Sequence, residues 1–111
     1  MATENKPQQA QQLLEQAQMH QQQLQSLVAQ KEALNMQTTE IQKALTELST
    51  TKDDVYKVAG PILIKTDLES VKKELGDKLD FISLRIKTLE KSEKRLKEQF
   101  EEISQKLSKM A

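Results

Sequence analysis

The side chains able to do acid–base or covalent chemistry are few in this sequence. It has 111 residues, a single His (His20) and no Cys. A nucleophilic site needs a hydroxyl or thiol held against a base, and a structural metal site needs several ligands at fixed spacing. His20 has neither Cys nor a carboxylate cluster around it, so it reads as a tolerated residue on a packed helix face rather than a ligand or pH switch. No glycine-rich phosphate loop occurs. We expect no catalytic residues, no metal and no cofactor, and the chain is not read as an enzyme. What remains is non-covalent chemistry, carried by apolar side chains and by backbone that pairs as strand.

The clearest concentration of such groups is "DDVYKVAGPILIKTD", Asp53 to Asp67. Val55, Tyr56, Lys57 and Val58 form one β-prone run, and Ile62, Leu63, Ile64 and Lys65 form a second. Between them Gly60 can take a positive φ and Pro61 blocks helix continuation. A plain turn between helices needs about 2–8 residues, whereas roughly eighteen separate the helical stretches on either side. An isolated two-stranded hairpin is marginal in water and leaves both edges unpaired. Val55, Tyr56, Val58, Gly60, Ile62, Leu63 and Ile64 are therefore expected to pair with hairpins of other subunits, closing a sheet or barrel.

The flanks supply the elements that carry this segment. In one heptad register the first half places Ala10, Ala17, Leu24, Lys31, Thr38 and Leu45 at a, and Leu13, His20, Leu27, Leu34, Ile41 and Leu48 at d. The second half places Lys72, Leu79, Ile86, Glu93, Phe100 and Leu107 at a, and Leu68, Leu75, Ile82, Leu89, Leu96, Ile103 and Met110 at d. Such spacing sustained over more than five heptads predicts coiled coil. The expected fold is mainly α: a long antiparallel coiled-coil hairpin of two helices joined by a small β-hairpin that oligomerises into a β-barrel hub. As one domain over 1–111, it divides into a first helix at 8–49, a β-hairpin at 53–66 and a second helix at 67–110.

Several details follow from that frame. Pro7 suits the first turn of the first helix, and Thr66 or Asp67 can cap the second. Reversal at the centre brings Leu13 near Ile103 and Ala17 near Phe100. Lys31, Lys72 and Glu93 interrupt the apolar stripes, a device that usually fixes register at some cost in stability. Glu69–Lys73, Glu74–Lys78, Glu90–Lys94, Glu93–Lys97 and Glu102–Lys106 stand at the favourable helical spacing. Gly76 costs its helix about 1 kcal/mol relative to Ala, and close approach of another backbone would explain it.

Composition narrows the class of function. Apolar residues make up 36% and aromatic residues 3%, too lean for a large compact core, while 31% are charged. Seventeen basic and seventeen acidic residues cancel, so bulk attraction to nucleic acid or to an anionic membrane is not expected. "MATENKPQQAQQ" lacks the apolar core of a signal peptide, and no run long enough to span a membrane occurs. The chain reads as soluble and intracellular, with cytoplasmic location expected.

"VYKVAGPILIKTD" followed by "LESVKKELGDKLDFISLRIKTLEKSEKRLKEQFEEI" resembles the archaeal-type β-class subunits of the prefoldin family, and the Gln-rich "QQLLEQAQMHQQQLQSLVAQKEALNMQTTEIQKALTEL" is similar to that family's first helix. The resemblance covers nearly the whole chain, and its most specific part is Val55, Tyr56, Lys57, Gly60 and Ile62 to Lys65. It implies an ATP-independent holdase chaperone in which two α-type and four β-type subunits form a hexamer with a β-barrel body and six coiled-coil arms. The arm tips would grip non-native client proteins and deliver them to a group II chaperonin. On that reading Ala10, Leu13, Leu14, Ile103, Leu107 and Met110 are the apolar residues at the arm's end that would contact clients, with Leu13, Ile103 and Leu107 equally suited to closing the seam. The rival reading is a structural coiled-coil scaffold or tether without chaperone activity.

Overall fold

In a computed structural model, which describes residues 2–110, the elements run α1 (Ala2–Thr50), β1 (Val55–Ala59), β2 (Ile62–Thr66) and α2 (Leu68–Met110). Contacts gather the chain into two units. One joins the start of the chain, up to Glu32, to its end from Lys87, and the other is Ala33–Ile86.

Both helices are the product of heptad spacing. In α1, burial picks out Ala10, Leu13, Ala17, His20, Leu24, Leu27, Lys31, Leu34, Thr38, Ile41, Leu45 and Leu48, every a and d position of the expected register, joined by Ala44. In α2 the whole expected stripe from Leu68 to Met110 is likewise half-buried or buried, joined by Val71, Gly76, Ser92 and Ser104. Ile41, Ile82 and Ile103 are the most fully covered, at 7%, 3% and 6% exposure. A two-helix seam gives each apolar side chain cover on one side only, which is why half-burial is the rule here.

The helix ends differ from expectation in one place. α1 begins at Ala2, so Pro7 lies inside it rather than in its first turn. Pro at that depth removes a single backbone hydrogen bond, and the flanking Ala, Glu and Lys are good helix formers. At the other end of α1 there is no glycine cap. The hydroxyls of Thr50 and Thr51 donate to the carbonyl of Glu47 at 3.1 and 2.7 Å, occupying an acceptor that helix termination leaves without a partner, and the Ser49 hydroxyl donates to the Thr46 carbonyl at 2.6 Å. α2 opens on Asp67, whose Oδ2 accepts from the Ser70 backbone N–H at 3.3 Å and from its hydroxyl at 3.2 Å. That is an N-cap, and it is Asp67 rather than Thr66 that supplies it.

Within the unit containing the chain ends, α1 and α2 run antiparallel. Lys31 Nζ lies 3.3 Å from Glu93 Oε1, and one groove is shared by Gln23, Ser26 and Leu27 with Ser92, Arg95 and Leu96. At the end of the arm Leu13 shares a groove with Lys106, Lys109 and Met110. The residues that meet or share a groove across the seam hold like heptad positions: Lys31 and Glu93 are both a, while Leu27 with Leu96 and Leu13 with Met110 are d.

Candidate functional site

Two surfaces can carry non-covalent chemistry, one in each unit. The first is the β-hairpin. β1 and β2 pair antiparallel with Val55 opposite Thr66, Tyr56 opposite Lys65, Lys57 opposite Ile64, Val58 opposite Leu63 and Ala59 opposite Ile62. Gly60 and Pro61 form a two-residue loop, and Gly60 has φ +59°. Pro61 cannot take a positive φ, which excludes a type I′ turn and leaves type II′, the other turn whose twist suits a tight hairpin.

Residues directly opposed across a ladder share a face, and faces alternate along each strand. One face therefore carries Val55, Lys57, Ala59, Ile62, Ile64 and Thr66. Part of it turns to α2: Val55 and Thr66 are half-buried, and Lys57 Nζ lies 2.9 Å from Glu74 Oε1. The other face carries Tyr56, Val58, Leu63 and Lys65, with Lys65 Nζ 3.5 Å from Asp54 Oδ2 at its margin. Val58 is 71% exposed and Leu63 65%, and Tyr56, Ile62 and Ile64 are also at least half exposed. The sheet has two strands, and each has one edge unpaired. Apolar side chains thus stand in water on both faces of a ladder that has two bare edges. Every site residue expected of the hairpin is found within it, and all but Val55 are open.

The second surface is the end of the arm. Lys6, Gln9, Gln12, Leu13 and Gln16 of α1 and Lys106, Lys109 and Met110 of α2 line an open groove of about 460 Å³. Leu13 and Met110 are half-buried and form its apolar floor, while the lysines and glutamines are exposed at its rim. Of the other residues expected here, Ala10 and Leu107 are half-buried in the seam, Ile103 is closed within it, and Leu14 stands out at 52% exposure beyond the groove lining. The rim lysines were missed because only the apolar residues at the arm's end were taken as contacts. The signal available was Lys106 and Lys109 flanking the same helix face as Met110.

Phe81 and Leu84 were also missed. Both lie off the apolar stripe of α2, at 65% and 67% exposure. Among the described residues no set of His, Asp or Glu groups is placed to hold a metal ion, and no helix is long and apolar enough to cross a membrane.

The family description "Prefoldin subunit" matches residues 11–111, nearly all of the two helices and the whole hairpin between them. The chain belongs to the prefoldin family. Its role is that of a prefoldin chaperone subunit. Individual relatives are β subunits of prefoldin: that of Archaeoglobus fulgidus is 41% identical over 94% of this chain and 91% of its own length, and that of Thermococcus onnurineus 36% identical over the same shares. The crystal structure of the prefoldin β subunit from Thermococcus strain KS-1 superposes with a TM-score of 0.84 at 34% identity, covering 91% of this chain and 90% of that one. Membership of the prefoldin family implies assembly with other prefoldin subunits.

Proposed function

We propose that residues 1–111 act as one prefoldin-like domain, a β-type subunit of an ATP-independent holdase. Four such subunits with two α-type subunits form a hexamer in which hairpins complete a β-barrel hub and the helical arms project from it. Val55, Tyr56, Val58, Gly60, Ile62, Leu63 and Ile64 build that hub. Non-native proteins are held at the arm ends through Ala10, Leu13, Leu14, Leu107 and Met110, with Ile103 joining when the helix ends fray. The clients pass to a group II chaperonin, in the cytoplasm, with no catalytic step by the subunit itself.

The observation that supports this most is the bare hairpin in a prefoldin-family chain: its apolar faces and unpaired edges are stable only if other subunits cover them. Clients of no fixed sequence require adaptable apolar contacts of modest strength. Several arm ends acting together raise effective concentration, so no single site need bind tightly. Met110 suits that task because its unbranched thioether adapts to different surfaces.

The test is aggregation of several unrelated denatured proteins, without nucleotide, in the presence of this chain assembled with an α-type subunit. Suppression across clients is expected. Binding of one folded partner with no suppression would replace the holdase with a scaffold.

A further inference from the structure

We infer that the arm-end groove prefers apolar client segments flanked by carboxylates over the same segments flanked by basic residues. This rests on the reading of the arm end as the holding site. An apolar floor of Leu13 and Met110 takes a side chain of no particular identity. The rim decides what is tolerated beside it. Every charged residue in the lining is a lysine (Lys6, Lys106 and Lys109), and the rest of the rim is Gln9, Gln12 and Gln16, which donate or accept with no charge of their own. A basic residue next to the bound apolar side chain would face these ammonium groups at short range, and an acidic one would be attracted.

The chain's zero net charge hides this asymmetry. Positive charge is gathered at the groove. The adjoining stretch of α2 is mainly acidic, with Glu90, Glu93, Glu98, Glu101 and Glu102 against Lys94 and Lys97 lining a common surface. Each lysine held about 7 Å from a client carboxylate in water contributes on the order of a two- to threefold preference. Three together give roughly tenfold at low salt, reduced to about fivefold by the nearby glutamates. The effect is a selection among clients and not a requirement for holding. Segments that are wholly apolar still bind.

The experiment uses the full chain assembled with an α-type subunit and three fluorescent peptides. All share one Leu- and Phe-containing core, flanked by Glu, by Gln or by Lys. Binding is measured by anisotropy in low salt and again in ~1 M salt, where the screening length falls to about 3 Å. The Glu-flanked peptide should bind severalfold more tightly than the Gln-flanked one, and the Lys-flanked peptide most weakly. The order should collapse in high salt and reverse in the K6E/K106E/K109E variant, whose exposed substitutions leave the hairpin untouched. Equal binding of all three peptides in low salt, or no reversal in the variant, overturns the charge preference while leaving the holding site intact. Failure of every peptide to bind, or equal binding after truncation of the arm end, overturns the holding site itself and this inference with it.

Discussion

The ammonium of Lys31 donates to the Glu93 carboxylate across 3.3 Å, so the charged interruptions of two apolar stripes meet each other inside the seam. Their side chains are only 28% and 14% exposed, and Lys97 approaches Glu93 from the same helix at 3.9 Å. Without Glu93 the Lys31 ammonium would lose this partner in a half-dry interface, and without Lys31 the Glu93 carboxylate would keep only the longer contact to Lys97. As a pair they favour the longitudinal alignment that brings them together.

Removing one partner should therefore cost more than an exposed pair is worth. Glu93→Ala is expected to destabilise the arm by about 1–3 kcal/mol, as for loss of a charged hydrogen bond. Exchanging the charges, K31E with E93K, should recover most of that loss. Replacing both by Leu should leave stability equal or higher while loosening the alignment, because apolar packing offsets the loss of a part-buried ion pair without specifying which residues meet. Thermal unfolding followed by circular dichroism reads the first two effects. Cross-linking between cysteines placed at positions 27 and 96 reads the third, through the appearance of additional registers.

Gly60 holds φ +59° with nothing within 4 Å of where a Cβ would stand. Gly60→Ala should consequently meet no clash but should pay conformational strain of about 1–2 kcal/mol. The hairpin is the element affected, so faster amide exchange is expected in residues 55–66, with little change in the helical arm. Unchanged exchange would mean the turn is not the type deduced from Pro61.

Gly76 also has open space around its missing Cβ, and no close approach within the chain accounts for it. Gly76→Ala should stabilise α2 of the isolated chain by about 1 kcal/mol. If a neighbouring subunit packs against this position, the same variant will assemble less well despite its firmer helix. Melting and assembly measured side by side separate the two effects.

Much of this fold is written in side-chain spacing. The stripes from Ala10 to Leu48 and from Leu68 to Met110 are the covered faces of the helices because a period near 3.5 leaves one face to bury. The hairpin is legible because β-branched residues flank a Gly–Pro pair that no helix accommodates. The meeting of Lys31 with Glu93 was not legible, because stripes of Leu and Ile pack almost equally well one turn along and leave open which charged interruptions face each other. The start of α1 ahead of Pro7 was missed because one lost hydrogen bond is a weaker penalty than the rule for helix interiors suggests. Glu74 reads as a partner for Lys78 along α2, yet in the fold it takes Lys57 from the hairpin at 2.9 Å, a contact only the tertiary structure brings within reach. The groove at the arm end is likewise a product of the tertiary structure, which brings Met110 and Lys109 of α2 to the same lining as Leu13 of α1.

Val58 and Leu63 stand opposite each other on the face of the hairpin turned from α2. Both are open to solvent, so V58D/L63D should leave the helical content and melting of the lone chain nearly unchanged. Burying two carboxylates against a neighbour's apolar strand is prohibitive, and assembly should be lost. Size-exclusion chromatography beside circular dichroism distinguishes this from simple unfolding.

The most direct measurement is native mass spectrometry of the full chain mixed with an α-type prefoldin subunit. The expected species contains four copies of this chain and two of its companion, and V58D/L63D should abolish it. A chain that stays monomeric at micromolar concentration beside that companion, with its hairpin edges still bare, would contradict the account.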